Sequence, residues 1–193
     1  MDAMFKNFID GEWVEGAEGR TFQSINPADT AEVVGVLSRA GRGDVDRAVE
    51  ATRAAWHGWR RMPAPKRGEI LFRAGEMLLR RKQELGKLMT REMGKVIAEA
   101  LGDIQEAIDM SFCVAGETIP SELPDKDCKS VRVPIGVCGL ITPWNFPLAI
   151  PAWKIMPALV SGNTVVFKPS SLTPVCAAKL VEILQEAGLP RGC

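Results

Sequence analysis

Two polar side chains stand inside the most hydrophobic part of this chain. Asn145 lies in Ile141-Thr-Pro-Trp-Asn-Phe-Pro147, and Lys168 ends Gly162-Asn-Thr-Val-Val-Phe-Lys168, 23 positions further on. A carboxamide supplies neutral N–H donors that can hold negative charge as it develops on an oxygen during a reaction. An ammonium supplies three donors and a positive charge on a flexible stem, suited to ligand oxygens. An amide buried in such a run needs a hydrogen-bond partner, and a ligand oxygen would serve. Capping the helix that follows is the other reading of Asn145, and both stand on sequence alone.

The flanking residues supply the elements that would position this pair. Ile135 to Ile141 is a continuous apolar run, as expected of a parallel strand covered on both faces. Pro147 suits the first turn of a helix reaching about Val160, which Ser161-Gly-Asn163 closes. Thr164 to Phe167 reads as a second buried strand, ending at Lys168-Pro169. Thr173 then caps a helix that has Pro174 at its first position and is stopped by Gly188 and Pro190. The order β-α-β-α implies a right-handed crossover and a parallel sheet with helices outside. Ligands of such sheets bind beyond the carboxyl ends of the strands, so Asn145 and Lys168 are expected at one crevice.

Upstream, Asp10-Gly11 between Phe8-Ile9 and Glu12-Trp13-Val14 predicts a tight hairpin, and Glu32 to Ser38 a short strand. Asp44 is a plausible N-cap for a helix burying Val45, Ala48, Val49, Thr52, Ala55, Trp56 and Trp59. After Pro63 and Pro65, Ile70, Leu71, Ala74, Met77, Leu78, Leu85 and Leu88 continue the helical period, and Gly94 breaks or ends one helix before the next. These two or three helices are expected on a common sheet. Beyond Gly116, Val131 and Val133 alternate with Arg132 in a strand with one wet face. Pairing outside its own domain and an ordinary edge strand are both open to it.

Lys plus Arg and Asp plus Glu total 24 each, so no global field draws nucleic acid or an anionic membrane. The five cysteines, Cys113, Cys128, Cys138, Cys176 and Cys193, form no C-x-x-C pair, which argues against a disulfide framework and a zinc site and fits a reducing cytoplasm. The first residues do not read as a secretion signal. The run from Ile135 to Val160 is apolar enough for a membrane span, but Pro143, Pro147, Pro151, Pro157 and Lys154 would leave backbone groups unpaired in lipid. Composition and 193 residues with 46% hydrophobic content suffice for a packed core.

The motifs ITPWNFP, AWKIMPAL, GNTVVFKPSSLTP and EAGLP, with NFIDGEWV, INPAD and REMGK upstream, resemble the NAD(P)-dependent aldehyde dehydrogenase superfamily over essentially the whole chain. The resemblance covers the N-terminal portion of family chains, which are more than twice as long. It implies a parallel Rossmann-like cofactor-binding sheet with flanking helices, formed by residues 1–115 and 135–193 and incomplete without the downstream half. It also implies a projecting oligomerisation strand at 116–134, through which a homo-oligomer, dimer or tetramer, would form. The catalytic domain is absent from this stretch.

By that resemblance, Asn145 donates its amide to the oxyanion formed when a cysteine thiolate attacks a small-molecule aldehyde. Hydride passes to NAD or NADP, and a glutamate-activated water hydrolyses the thioester to the acid. Ile141, Thr142, Pro143 and Trp144 line the cofactor cleft, although Trp144 serves core packing equally well. Lys168 bonds the adenosine ribose, with Ser170 and Ser171 beside it. Many NAD-preferring relatives carry glutamate at the position of Ser171, where it repels a 2′-phosphate, so serine implies tolerance of NADP. Lys154 matches a lysine near the active site with a part in proton movement, snorkelling being the alternative. Phe146, Ile150 and Trp153 border the aldehyde tunnel, core packing being the other reading of Ile150. The nucleophile, the general base and the glycine-rich pyrophosphate turn belong to downstream sequence, and none of the five cysteines sits in an activating motif. His57, between tryptophans, reads as packing or surface.

Three functional readings therefore remain: an aldehyde dehydrogenase portion, inactive in isolation and closest to bacterial members acting on semialdehydes of carboxylic acids; a non-catalytic nucleotide-binding or assembly module; and an acylating or phosphorylating relative.

Overall fold

The computed structural model describes residues 4–116, 121–122, 129–130 and 133–193. After β1 (Met4–Phe5), Asp10 and Gly11 adopt φ of 51° and 79° and turn β2 (Asn7–Ile9) back onto β3 (Glu12–Val14). That is the hairpin expected from the Asp-Gly pair, since both central residues of such a turn need positive φ. Strands β4 (Thr21–Ile25) and β5 (Val33–Ser38) pair antiparallel, and β1 adds to β5 in parallel, forming a three-stranded sheet.

Four helices follow: α1 (Arg42–Trp59), α2 (Ala64–Arg80), α3 (Lys82–Met93) and α4 (Ile97–Gly116). Gly94 ends α3 with φ 75°, the left-handed conformation a helix terminus takes most cheaply at glycine. The cap of α1 corrects the expectation for Asp44. The helix begins at Arg42 with Gly41 as N-cap, and Asp44, three residues in, reaches back to accept the Gly41 N–H at 2.9 Å. Its oxygens also accept from Ala17 N–H at 3.1 and 3.2 Å and pair with Arg47 at 2.6 Å. The Gly41 N–H above all, with the Ala17 N–H and Arg47, lowers the Asp44 pKa.

Strands β6 (Ser121–Glu122) and β7 (Lys129–Ser130) form a short antiparallel pair. Most of the expected 116–134 strand region, including Val131 and Arg132, lies outside the described residues. The β-α-β-α unit is present as β8 (Val137–Ile141), α5 (Ala149–Val160), β9 (Thr164–Lys168) and α6 (Pro174–Glu186), with β8 and β9 parallel. Pro147 lies just ahead of the N-cap, Leu148, so it precedes the first turn of α5 instead of opening it.

The main core lies between helices. Leu71, Leu78, Met89, Ile104, Met156 and Leu180, from α2 to α6, are essentially inaccessible. Helices α2, α3 and α4 pack chiefly on one another and on α5 and α6, while α1 is the upstream helix that packs on β9 and β8. The expectation that the amphipathic helices share a sheet is therefore corrected: a helical layer intervenes. Trp59 at the end of α1 ties the layers together by donating Nε1–H to the Leu159 carbonyl at 3.0 Å. The apolar run of β8 is not covered on both faces among the described residues. Ile135 and Ile141 are 86% and 73% exposed, and Cys138 is only half-buried. Val45, expected inside, is also exposed because its stretch of α1 borders an open groove beside the sheet. None of the helices among the described residues is long and apolar enough to cross a membrane.

Candidate functional site at the carboxyl edge of the parallel strands

The register of β8 and β9 sets Ile141 opposite Lys168, and the Thr142 N–H donates to the Lys168 carbonyl at 3.3 Å. The loop carrying Asn145 thus leaves the sheet beside the strand end that carries Lys168. Lys168 is exposed, with Nζ donating to the Pro169 carbonyl at 3.1 Å. Ser170 Oγ accepts the Leu172 N–H at 3.2 Å and shapes the turn into α6, leaving Ser171 at the surface.

A groove of about 1100 Å³ runs between α1, β8, β9, α6 and the N-terminal strands. Its walls include Ile141, Lys168, Ser170 and Ser171 among the expected cofactor residues, together with Val45 and Val49 of α1. Thr142, Pro143, Trp144, Asn145 and Lys154 are not among its lining residues. Thr142 is buried, and its Oγ1 has no hydrogen-bond partner among the described residues. Pro143, Trp144, Asn145, Trp153 and Lys154 are exposed. The burial expected of the Asn145 amide is corrected here: the residue is exposed, and what is tied down is the loop's backbone.

That tie comes from residues to which the sequence reading gave no role. Lys95, just past the end of α3, donates to the Asn145 carbonyl at 2.7 Å and lies 4.1 Å from the centre of the Phe146 ring. It also pairs with Asp103 of α4 at 3.2 Å; the two side chains are 9% and 0% exposed. Asp103 Oδ1 accepts the Ala149 N–H at 2.7 Å, so it caps α5 from another helix. Burial raises the Asp103 pKa, against the downward pull of the Ala149 N–H and of Lys95.

Helix α6 is capped in the same manner. Thr173 is its N-cap residue but makes no side-chain cap bond; the Val175 and Cys176 N–H groups donate to Glu92 of α3 at 2.7 and 2.8 Å. Ser24 of β4 donates to the same carboxylate at 3.0 Å. Burial pushes the Glu92 carboxyl above its ordinary range, while the Cys176, Val175 and Ser24 donors pull it down. Both acids sit within apolar helical stripes, Glu92 after Leu88 and Met89, and Asp103 between Ala100 and Ile104. An acid at a core position must find donors, and that was the signal available in the sequence.

These caps have a chemical consequence. The N-termini of α5 and α6 both lie at the carboxyl edge, where a helix start would ordinarily welcome a phosphate. Here their free donors are already engaged by Asp103 and Glu92, so neither terminus is open to a pyrophosphate. The edge retains the Lys168 ammonium and the neutral hydroxyls of Ser170 and Ser171, which suit ribose or phosphate oxygens at the adenosine end of a dinucleotide.

Cys128 lies outside the described residues, and Cys138, Cys176 and Cys193 sit where a thiol is not activated. Burial raises the Cys176 thiol pKa well above its ordinary value, with the nearby Glu92 charge adding to the effect. Burial alone raises Cys138 and pushes Cys193 up to about 12. A thiol becomes a good nucleophile when its pKa is lowered, the opposite of these environments. His57 is exposed on α1, its ring 5.3 Å from that of Trp56.

Comparison with known proteins decides the family. A sequence model described as the aldehyde dehydrogenase family matches residues 13–193. The chain belongs to the aldehyde dehydrogenase family. Among curated family members, the alpha-ketoglutarate semialdehyde dehydrogenase of Haloferax volcanii is 43% identical over a stretch that covers 97% of this chain and 40% of that protein. The malonate-semialdehyde dehydrogenase of Bacillus pumilus is 40% identical, covering 98% of this chain and 40% of the relative. Among solved structures, 1-pyrroline-5-carboxylate dehydrogenase from Thermus with bound NAD superposes with a TM-score of 0.89 at 36% identity, covering 99% of this chain and 38% of that one. Betaine aldehyde dehydrogenase from Staphylococcus aureus in complex with NAD+ gives 0.92 at 33% identity, covering 98% and 40%. The chain thus spans about 40% of the length of the aldehyde dehydrogenases it matches, and its Rossmann-like α/β fold is the fold of that part of the family.

Proposed function

We propose that this chain is the N-terminal, cofactor-binding part of an NAD(P)-dependent dehydrogenase that oxidises a small-molecule aldehyde to a carboxylic acid. The overall reaction consumes the aldehyde, water and NAD(P)+ and yields the acid, NAD(P)H and a proton. Family membership supports aldehyde oxidation, and relatives named for alpha-ketoglutarate and malonate semialdehydes favour a semialdehyde of a carboxylic acid as substrate. The observation that carries the reading is the pairing of Ile141 with Lys168, which gives the Asn145 loop and the Lys168 ammonium a common edge.

In this reading the bound nicotinamide supplies the hydride acceptor. Lys168 donates to the adenosine ribose, and Ser170 and Ser171 border it without a negative charge that would exclude a 2′-phosphate, so NADP is accepted as well as NAD. Ile141 lines the groove, and Thr142, Pro143 and Trp144, which follow it in the chain, extend the cofactor cleft towards the reacting end. Asn145 donates its amide to the aldehyde oxygen as negative charge grows on it during thiolate attack, a fixed neutral donor of the kind that lowers such barriers by about 3 kcal/mol. Lys154, at the surface of α5, assists proton movement. The nucleophilic cysteine of the thiohemiacetal and thioester and the general-base glutamate come from outside these 193 residues, so this stretch alone turns over no aldehyde. Assembly into a homo-oligomer through residues 116–134 and a cytoplasmic location belong to the same reading.

The test is a titration of the intact polypeptide with NADPH and NADH, followed by fluorescence, in the parent and in Lys168→Met. A charge-assisted hydrogen bond is worth about 1.5–3 kcal/mol, so the variant should weaken binding of both by roughly tenfold or more. Unchanged affinity would remove Lys168 from the cofactor site.

A further inference from the structure

We propose that Lys95 and Asp103 are positioning residues for Asn145, together fixing the loop that presents its amide. This rests on the reading of Asn145 as the oxyanion donor. The loop from Asn145 to Ala149 is held at both ends by one buried ion pair. At its start Lys95 Nζ binds the carbonyl of Asn145 itself, and at its end Asp103 Oδ1 binds the N–H of Ala149. The pair is closed by the contact of Lys95 Nζ with Asp103 Oδ2 at 3.2 Å. Because Lys95 lies beside Phe146 as well, the ammonium engages two successive residues of the loop.

The Asn145 side chain is exposed and has no hydrogen-bond partner among the described residues, so its direction depends on its backbone. A donor helps only if it sits within hydrogen-bond reach of the oxygen that gains charge, and displacement by about 1 Å can cost a hundredfold in rate. Buried and nearly dry, the pair is suited to holding such a backbone, since breaking it would strand a charge inside the protein. Glu92 caps α6 by the same chemistry but bonds no residue of the Asn145 loop, which separates its role from that of Asp103.

The experiment is a double-mutant cycle in the intact enzyme, with turnover expressed per titrated active cysteine. Variants are Lys95→Met, Asp103→Asn, Lys95→Arg, Asn145→Ala and the first two combined with Asn145→Ala. Lys95→Met should lower kcat about ten- to a hundredfold with the KM for cofactor nearly unchanged, and Lys95→Arg should restore part of it. In the Asn145→Ala background Lys95→Met should have almost no further effect, because residues acting through one group are non-additive. Equal losses in both backgrounds, or no loss in either, would overturn the positioning role. If Lys95→Met does not fold, the Asp103→Asn cycle makes the same decision. Should Asn145→Ala by itself leave kcat unchanged, the oxyanion reading fails first, and that outcome is distinct from failure of the Lys95 cycle.

Discussion

Replacing Glu92 by alanine removes the acceptor for two N–H groups at the start of α6 and for the Ser24 hydroxyl. Glu92 is 2% exposed, so water cannot easily take its place. Each buried donor left bare costs about 1–3 kcal/mol, so the two amides alone suggest roughly 2–6 kcal/mol, a large share of the ~5–15 kcal/mol that holds a domain together. Glu92→Gln keeps one acceptor oxygen and should lose about 1–3 kcal/mol. The sign of the pH effect follows from burial. Because the folded pKa of Glu92 lies above the usual 4.5, its contribution is fully present below that value and is lost as pH rises through the folded pKa. The advantage of glutamate over glutamine should therefore narrow with rising pH. Urea titrations followed by tryptophan fluorescence, at several pH values, measure both quantities, and amide exchange at Val175 and Cys176 localises them. An alanine variant within about 0.5 kcal/mol of the parent, with those two amides still protected, would refute the capping role.

Two other perturbations test separate parts of the account. Asp44→Ala should destabilise by about 1–3 kcal/mol through loss of the Gly41 and Ala17 bonds, and because the Asp44 pKa is lowered in the folded state, the parent's advantage should be present above the usual 3.8 and disappear as pH falls through the folded pKa; a flat difference across that range would contradict it. Ser171→Glu should move cofactor preference towards NAD by weakening NADP binding at least tenfold, read from paired titrations, and a parent that already prefers NAD a hundredfold would sink the NADP reading.

The hairpin, the end of α3 and the parallel unit were legible because their punctuation is local. Asp10-Gly11, Gly94, Ser161-Gly162-Asn163 and Pro174 each act on their own stretch of backbone, and the turns fall where those residues predict. What could not be read is what long-range packing decides. The caps of α5 and α6 come from Asp103 and Glu92, 46 and 83 positions before the N–H groups of Ala149 and Val175, and no local pattern announces such a partner. Asp44 misled because a cap and a third-position acid that reaches back look alike in sequence. The apolar run of β8 suggested cover on both faces, yet hydrophobicity records what a strand can bury, and here Ile135 and Ile141 face outward. Asn145 and Lys168 stood out as candidates through their contrast with apolar neighbours; Lys95 was given no role because a lysine after a helix-ending glycine looks like surface until its carbonyl partner is seen.

The most direct test of the central claim is the turnover of Asn145→Ala in the intact enzyme with a semialdehyde substrate and saturating NAD(P). The account predicts a fall in kcat of about 10²–10³-fold, the loss seen when one such donor is removed, with cofactor affinity changed by less than about threefold. Turnover equal to that of the parent, or a loss that appears only as weaker cofactor binding, would contradict it.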